Sequence, residues 1–310
     1  MSMSPSTTSP VNPANPANSA GPAEAGYAHP EALVETDWLA IHGADPSVRV
    51  FEVDVDTAAY AQGHVAGAIG LNWKTQLQQQ PVRDLISPVE LGALLSRSGV
   101  TADTTIAVYG DNNNWFAAWF FWLLKYYGHR DVRLVNGGRV KWLTEERPLT
   151  TDVPSFATTS YAVPAAPDHS IRALRDYVQS AVERHGHVLD VRSPKEFSGE
   201  LFAPENMPQE GAQRAGHIAG AVNVPWSSAV APDGRFKSVD ELREIYATSG
   251  IDPESETIAY CRIGERSSHT WFVLRYLLGH DRVRNYDGSW TEWGSLIGAP
   301  IERGASGGSA

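Results

Sequence analysis

The chain contains a single cysteine, Cys261, and the residues after it are Arg262, Ile263, Gly264, Glu265, Arg266 and Ser267. A thiol does chemistry as a thiolate, and nearby cations and helix N-termini favour that anion. Two guanidinium groups stand within five residues of the sulfur. Gly264 permits backbone angles that let a tight loop turn several N–H groups toward one point. A helix opening near Ser268 adds its own unpaired N–H groups. These features predict a depressed pKa for Cys261 and a cradle for an anionic substrate formed by Arg262, Ile263, Gly264, Glu265, Arg266 and Ser267. A lone cysteine is otherwise most often a small buried hydrophobe; the two arginines favour the reactive reading. Glu265 would oppose an anion if it pointed inward, so it is expected to face outward or to pair with an arginine. Ser267 either donates to the sulfur at Cys261 or caps the helix.

A solitary thiol excludes a disulfide framework, an intramolecular dithiol pair and a cysteine-rich zinc site, each of which needs two. The net charge of −11 gives no field that attracts a polyanion, so nucleic acid is not an expected partner. No apolar run reaches the ~18 residues of a membrane span, and no secretory signal opens the sequence. A cytoplasmic location is expected, where a free thiol survives. A cysteine phosphatase would need an arginine six positions after the cysteine, where Ser267 stands; hydrolysis of p-nitrophenyl phosphate would reopen that reading. A non-catalytic binding module is a second rival, and Cys261 with its two arginine neighbours argues against it.

The elements that must hold this loop are written twice. Gly63-His64-Val65-Ala66-Gly67-Ala68-Ile69 recurs as Gly216-His217-Ile218-Ala219-Gly220-Ala221-Val222, and Trp73 recurs as Trp226. Ser98-Gly99-Val100 matches Ser249-Gly250-Ile251, Thr105-Ile106-Ala107 matches Thr257-Ile258-Ala259, and Trp142 matches Trp293. A period of about 150 residues is a duplicated domain, far from the 20–50 of a solenoid. Apolar, β-branched runs at Val50–Val55, Thr105–Tyr109, Val132–Val135, Val188–Val191 and Thr257–Tyr260 read as buried strands. Between them Glu90–Ser96, Trp115–Tyr127, Asp240–Ala247 and Ser268–Leu278 read as helices, the long ones ending at Gly128 and Gly279. The expected architecture is α/β, with a parallel sheet covered by helices on both faces in each copy. Ligands of such sheets lie beyond the carboxyl ends of the strands, where Cys261 stands.

The expected organisation is a disordered tail over residues 1–30, an inactive first domain over 31–145 and a linker over 146–170. A catalytic second domain over 171–303 and a short tail over 304–310 follow. Ser193–Ala215, about 15 residues longer than its counterpart in the first copy, reads as a long loop. His64 and His217 occur in both copies and are read as packing residues. Trp293 has a counterpart in the inactive copy and is read as core, while Trp290 could wall the pocket. Arg192 is read as the partner of Asp190.

The duplication, the paired Gly-His motifs, the Cys-Arg-Ile-Gly-Glu-Arg-Ser loop and Tyr286-Asp287-Gly288-Ser289-Trp290 together resemble the tandem-domain rhodaneses, over about Leu33 to Glu302. More narrowly they resemble the actinobacterial, CysA-type thiosulfate sulfurtransferases. The resemblance implies two rhodanese-like domains, of which only the second carries the nucleophile. In the first copy the position matching Cys261 falls in Tyr109-Gly110-Asp111, without a thiol. It also implies a thiosulfate:cyanide sulfurtransferase that needs no metal or organic cofactor: Cys261 takes the outer sulfur of thiosulfate as a persulfide, releases sulfite, and passes the sulfur to cyanide or a cellular thiol. In the mercaptopyruvate branch a small uncharged residue follows the cysteine, and Arg262 instead resembles the thiosulfate branch. Ile263 and Glu196 stand where some thiosulfate enzymes have Lys and Arg, so those two roles are not carried over.

Overall fold

The computed structural model describes residues 25–163, 166–203 and 211–304. Strands β1 (Leu33–Val34), β2 (Val48–Asp54), β3 (Ala68–Asn72), β4 (Thr105–Tyr109) and β5 (Val132–Val135) form one sheet in the order β1-β5-β4-β2-β3. Strands β6 (Arg172–Ala173), β7 (His187–Asp190), β9 (Val222–Asn223), β10 (Thr257–Tyr260) and β11 (Val283–Tyr286) form a second, in the order β6-β11-β10-β7-β9. All pairings within both sheets are parallel. The two orders match strand for strand, as duplication demands. A small antiparallel pair joins β8 (His217–Ile218) to β12 (Ile301–Glu302).

Parallel strands need helical crossovers, and the sequence starts them with side-chain caps. Ser87, Ser193 and Ser238 each open a helix with a capping box, closed by Glu90, Glu196 and Glu241. The second of these helices, Pro194–Ser198, occupies the start of the segment expected as loop. Residues 204–210 of that segment lie outside the described residues. Its far end is tied down by Arg214, which donates to the carbonyls of Gly294 at 3.2 Å and Ala299 at 3.2 Å. The expected tails fall mostly outside the described residues, but Ala28 and His29 donate to the carbonyls of Leu277 and Tyr276. The linker lies along the first repeat, where Thr150 pairs with His64 and Thr159 N–H donates to Ser96 O at 3.0 Å.

The helix expected over Ser268–Leu278 starts earlier, at Glu265, and changes to a π-helical turn over Val273–Leu277. Gly264, left-handed at φ 98°, is its N-cap, so Glu265, Arg266 and Ser267 belong to the first turn and not to the loop. In the first repeat the matching helix becomes regular only at Trp115, after three left-handed asparagines, Asn112, Asn113 and Asn114. These two helices pack against one another, so one apolar cluster runs through both repeats. Phe121 is its hinge: its ring meets Phe272 edge-on at 4.9 Å and Tyr276 edge-on at 5.0 Å. Among the described residues no helix is long and apolar enough to cross a membrane.

Because Phe121 touches the helix that carries Arg266, Phe121→Ala should cost about 3–5 kcal/mol and destabilise both repeats together. Calorimetry should show one lowered transition. Two separated transitions, with only the first displaced, would contradict a shared core.

Candidate functional site

Strand β10 is fully buried and ends at Tyr260, whose hydroxyl donates to Asp190 Oδ2 at 2.6 Å and accepts from Ile218 N–H at 3.1 Å. The first repeat has the same arrangement in Tyr109, Glu52 and Val65. The scaffold beneath the loop is therefore duplicated, and Cys261 begins where the copies diverge. Its backbone is fixed from the far side: Cys261 N–H donates to Ser289 Oγ at 3.1 Å, and Trp290 N–H donates to Cys261 O at 3.1 Å. Thr291 N–H and hydroxyl both donate to Arg262 O, at 3.0 and 2.8 Å.

The sulfur lies inside this frame with no solvent exposure. Sγ accepts the Gly264 N–H at 3.2 Å, and the thiol donates to Glu265 Oε2 at 3.1 Å. The Ile263 N–H donates to that same carboxylate oxygen at 3.3 Å. The loop does converge its amides, but it converges them on a sulfur and a carboxylate together. A side chain at Gly264 would meet Asp287 Cα at 2.8 Å in an already left-handed backbone, so only glycine closes the loop.

The expectation of a depressed pKa is overturned. Burial pushes the Cys261 thiol up and the Glu265 carboxylate adds to it, while Arg266 pulls the other way and loses. The physical reason lies in where the charges go. Glu265 is fully buried and turned inward, with Oε1 at 3.4 Å from Arg266 Nε. Of its two expected orientations it takes the arginine neighbour but not the outward face. Arg266 is not available to an anion, because its Nη atoms form a bidentate pair with Glu196 at 2.9 and 3.0 Å. Burial alone would raise Glu196; the Arg266 bonds bring it down to about 2. Arg262 is buried at 4% exposure, and Ile263 at 2% lines the interior.

Ser267 donates to Asn285 Oδ1 at 2.7 Å, with Sγ at 3.6 Å beyond it. Its one proton thus goes first to Asn285. That asparagine also donates to Gly264 O at 3.2 Å and to Ser268 Oγ at 2.8 Å. Sequence reasoning missed Asn285, although a polar residue at the position where the first copy has the buried Leu134 was a usable signal. It also missed Arg83, which reaches from the first repeat to donate to Ile263 O at 2.8 Å and Asp287 O at 3.2 Å. Nothing in the local pattern marks that contact. Ser289 was missed as well. It is left-handed at φ 51°, where the first copy has Gly138 at φ 53°.

The remaining expectations divide plainly. His64 and His217 stack on Tyr60 and Phe197 at 3.8 and 3.6 Å and bond backbone carbonyls, as packing residues do. Arg192 is fully buried against Asp190, with Nη2 to Oδ2 at 2.6 Å, and covers the Trp290 ring at 4.6 Å. Trp293 is core, and Trp290 lies beside the same structural ion pair. Among the described residues no cluster of His, Cys, Asp and Glu could hold a metal.

A duplicated parallel α/β scaffold with a lone cysteine on a strand-to-helix turn of its second copy defines the class. The Rhodanese-like domain family matches residues 35–145 and 174–296, and the chain belongs to that family, in two copies. It is 55% identical over 283 residues to the "Sulfur carrier protein TtuD" of Thermus thermophilus, covering 90% of this chain and 99% of that one. It is 54% identical over 278 residues to a protein of Mycolicibacterium smegmatis named "Putative thiosulfate sulfurtransferase", covering 90% and 100%. Among solved structures it resembles SseA from Escherichia coli, described as a 3-mercaptopyruvate sulfotransferase. That match has a TM-score of 0.71 and 25% identity, over 84% of this chain and 98% of that one.

Ser289 spends strain on an anchor, because a left-handed non-glycine costs of order 1–3 kcal/mol and the hydrogen bond it makes returns about 1. Ser289→Gly should leave stability within about 1 kcal/mol of the parent by these terms. It should free the Cys261 N–H and raise the iodoacetamide alkylation rate of Cys261 roughly fivefold, on the scale of a ~1 kcal/mol anchor. An unchanged alkylation rate would show that Ser289 does not hold the loop.

Proposed function

We propose that the chain is a thiosulfate sulfurtransferase that carries the outer sulfur of thiosulfate on Cys261. The observation that carries this reading is the contact set of the sulfur. An inert buried cysteine has apolar neighbours, whereas Sγ here touches an amide N–H, a carboxylate and a hydroxyl. Family membership and the names of its relatives support the same chemistry.

The Cys261 sulfur attacks the outer sulfur of thiosulfate, sulfite leaves, and a persulfide remains. A second nucleophile, cyanide or a cellular thiol, then removes the carried sulfur. Dividing one displacement in two is the benefit of covalent catalysis. The Gly264 N–H, aimed at Sγ, stabilises the negative sulfur as an oxyanion hole stabilises oxygen. Because Cys261 is enclosed, thiosulfate meets it only when the surrounding side chains open, a local event at the low end of the stability range. The catalytic domain is the second repeat, over about 171–303, and the first, over about 31–145, supports it through Arg83 and the shared helix contact. With one thiol in the chain, no resolving cysteine competes for the persulfide. A cytoplasmic setting suits a thiol that must stay reduced.

Steady-state assays with thiosulfate and cyanide should give parallel, ping-pong kinetics, and Cys261→Ser should lower thiocyanate production by about 10³-fold or more. Parallel assays with 3-mercaptopyruvate should give lower kcat/KM than thiosulfate. A Cys261→Ser chain retaining most of its activity would overturn the reading, and a preference for mercaptopyruvate would overturn the choice of donor.

A further inference from the structure

The loop that should welcome an anion already holds one, and its position is chemically specific. Glu265 Oε2 is the hydrogen-bond acceptor of the Cys261 thiol at 3.1 Å, and the Ile263 N–H fixes that oxygen at 3.3 Å. The other oxygen, Oε1, is buried and makes no hydrogen bond, its nearest cation being Arg266 Nε at 3.4 Å. A carboxylate fully removed from water and held against a thiol, with one lone-pair face unfilled, is placed to take a proton. From this geometry we propose that Glu265 is a catalytic residue, the general base that takes the Cys261 proton as sulfur is transferred.

This role rests on the sulfurtransferase reading and supplies what that reading needs. The thiol is the stable form in the resting site, since burial and Glu265 itself hold its pKa up. A nucleophile must therefore be made during the step. As the Sγ electron pair forms a bond to the outer sulfur of thiosulfate, the S–H proton passes to Glu265 Oε2. The S–S bond of thiosulfate breaks, and its electron pair leaves with sulfite. The outer sulfur stays on Cys261 as an anionic persulfide, and Glu265 returns the proton to the departing sulfite. Thiosulfate supplies the only redox change, and no further reactant is needed.

The other charged groups packed about the pair do not compete for this role. Arg266, on the same helix, carries no lone pair and is bound to Glu196 of the helix Pro194–Ser198. Asp287, behind Gly264, pairs with Arg172 at 3.2 Å. His269, one turn along the helix, lies against the Trp226 and Phe236 rings, and burial holds it neutral at about 3. Glu265 is the acceptor within reach of the thiol.

The test is single-turnover persulfide formation from thiosulfate, followed by rapid quench, in the full-length parent, Glu265→Gln and Glu265→Asp. At neutral pH the Gln variant should be slower by about 10²-fold, the ordinary worth of a positioned base. Its deficit should shrink as pH rises toward the thiol's own titration, where solvent takes the proton. Alkylation gives the second readout: removal of the neighbouring anion should move the Cys261 titration to lower pH in Glu265→Gln. A chain with more thiolate yet slower sulfur transfer is what a lost base produces. If Glu265 only plugged the loop or repelled the substrate, the same variant would run at the parental rate or faster, and that result overturns the proposal alone. Glu265→Asp keeps the charge beside Arg266 and serves where the amide variant does not fold; it should be about tenfold slower, from the lengthened proton transfer, and an unchanged rate overturns the role. A parent that gains no sulfur from thiosulfate overturns the underlying reading and this role with it.

Discussion

Everything at this site depends on a line of buried groups that runs from the Cys261 thiol through Glu265 and Arg266 to Glu196. Two carboxylates and one guanidinium leave water together, which costs several kcal/mol per ion unless each is paired. The bidentate Arg266–Glu196 bond supplies most of that pairing and leaves Glu265 held less tightly. The less satisfied carboxylate is the one that faces the sulfur. Glu196 joins this line because its helix starts with a capping box, so the same side chain closes the helix and binds the arginine. The thiol's pKa is raised first by its burial and then by Glu265, against the pull of Arg266. A free pair of arginines would have produced the opposite.

The two repeats show how little has to change to make a site on this scaffold. Both keep the tyrosine at the end of the central strand, its acidic partner and the amide that donates to its hydroxyl. The second copy differs at Cys261 for Gly110, Gly264 for Asn113, Asn285 for Leu134 and Ser289 for Gly138. The changes act together: a thiol, the turn that aims an N–H at it, the polar side chain that braces that turn, and the hydroxyl that anchors the cysteine's own backbone. The first copy remains necessary in a different way. Its helix completes the core against the helix carrying Arg266, Arg83 braces Ile263 O, and Trp115 lies under the Arg266 guanidinium at 5.6 Å.

Much of the fold was legible because duplication wrote each strand twice, and the buried runs at Thr105–Tyr109, Val132–Val135 and Thr257–Tyr260 fall where the pattern placed them. The short edge strands and the early start of the helix at Glu265 were not. Edge strands of two residues leave no periodicity, and the helix start turns on Gly264 acting as cap. At the site the sequence pointed to Cys261 but misjudged its environment. Counting Arg262 and Arg266 as free charge ignored a partner 70 residues away, Glu196, which claims Arg266. Glu265 was read by its charge alone, and a side chain's direction within a closed loop is set by packing that no local motif records. The long-range contacts of Arg83 were beyond reach for the same reason.

The central claim is that this enclosed sulfur is a carrier, and intact mass spectrometry of the chain after brief exposure to thiosulfate tests it most directly. The account predicts the addition of one sulfur atom to the parent, its complete removal by cyanide, and no addition to Cys261→Ser. A mass unchanged by thiosulfate, or an added sulfur that persists in the serine variant, would contradict it.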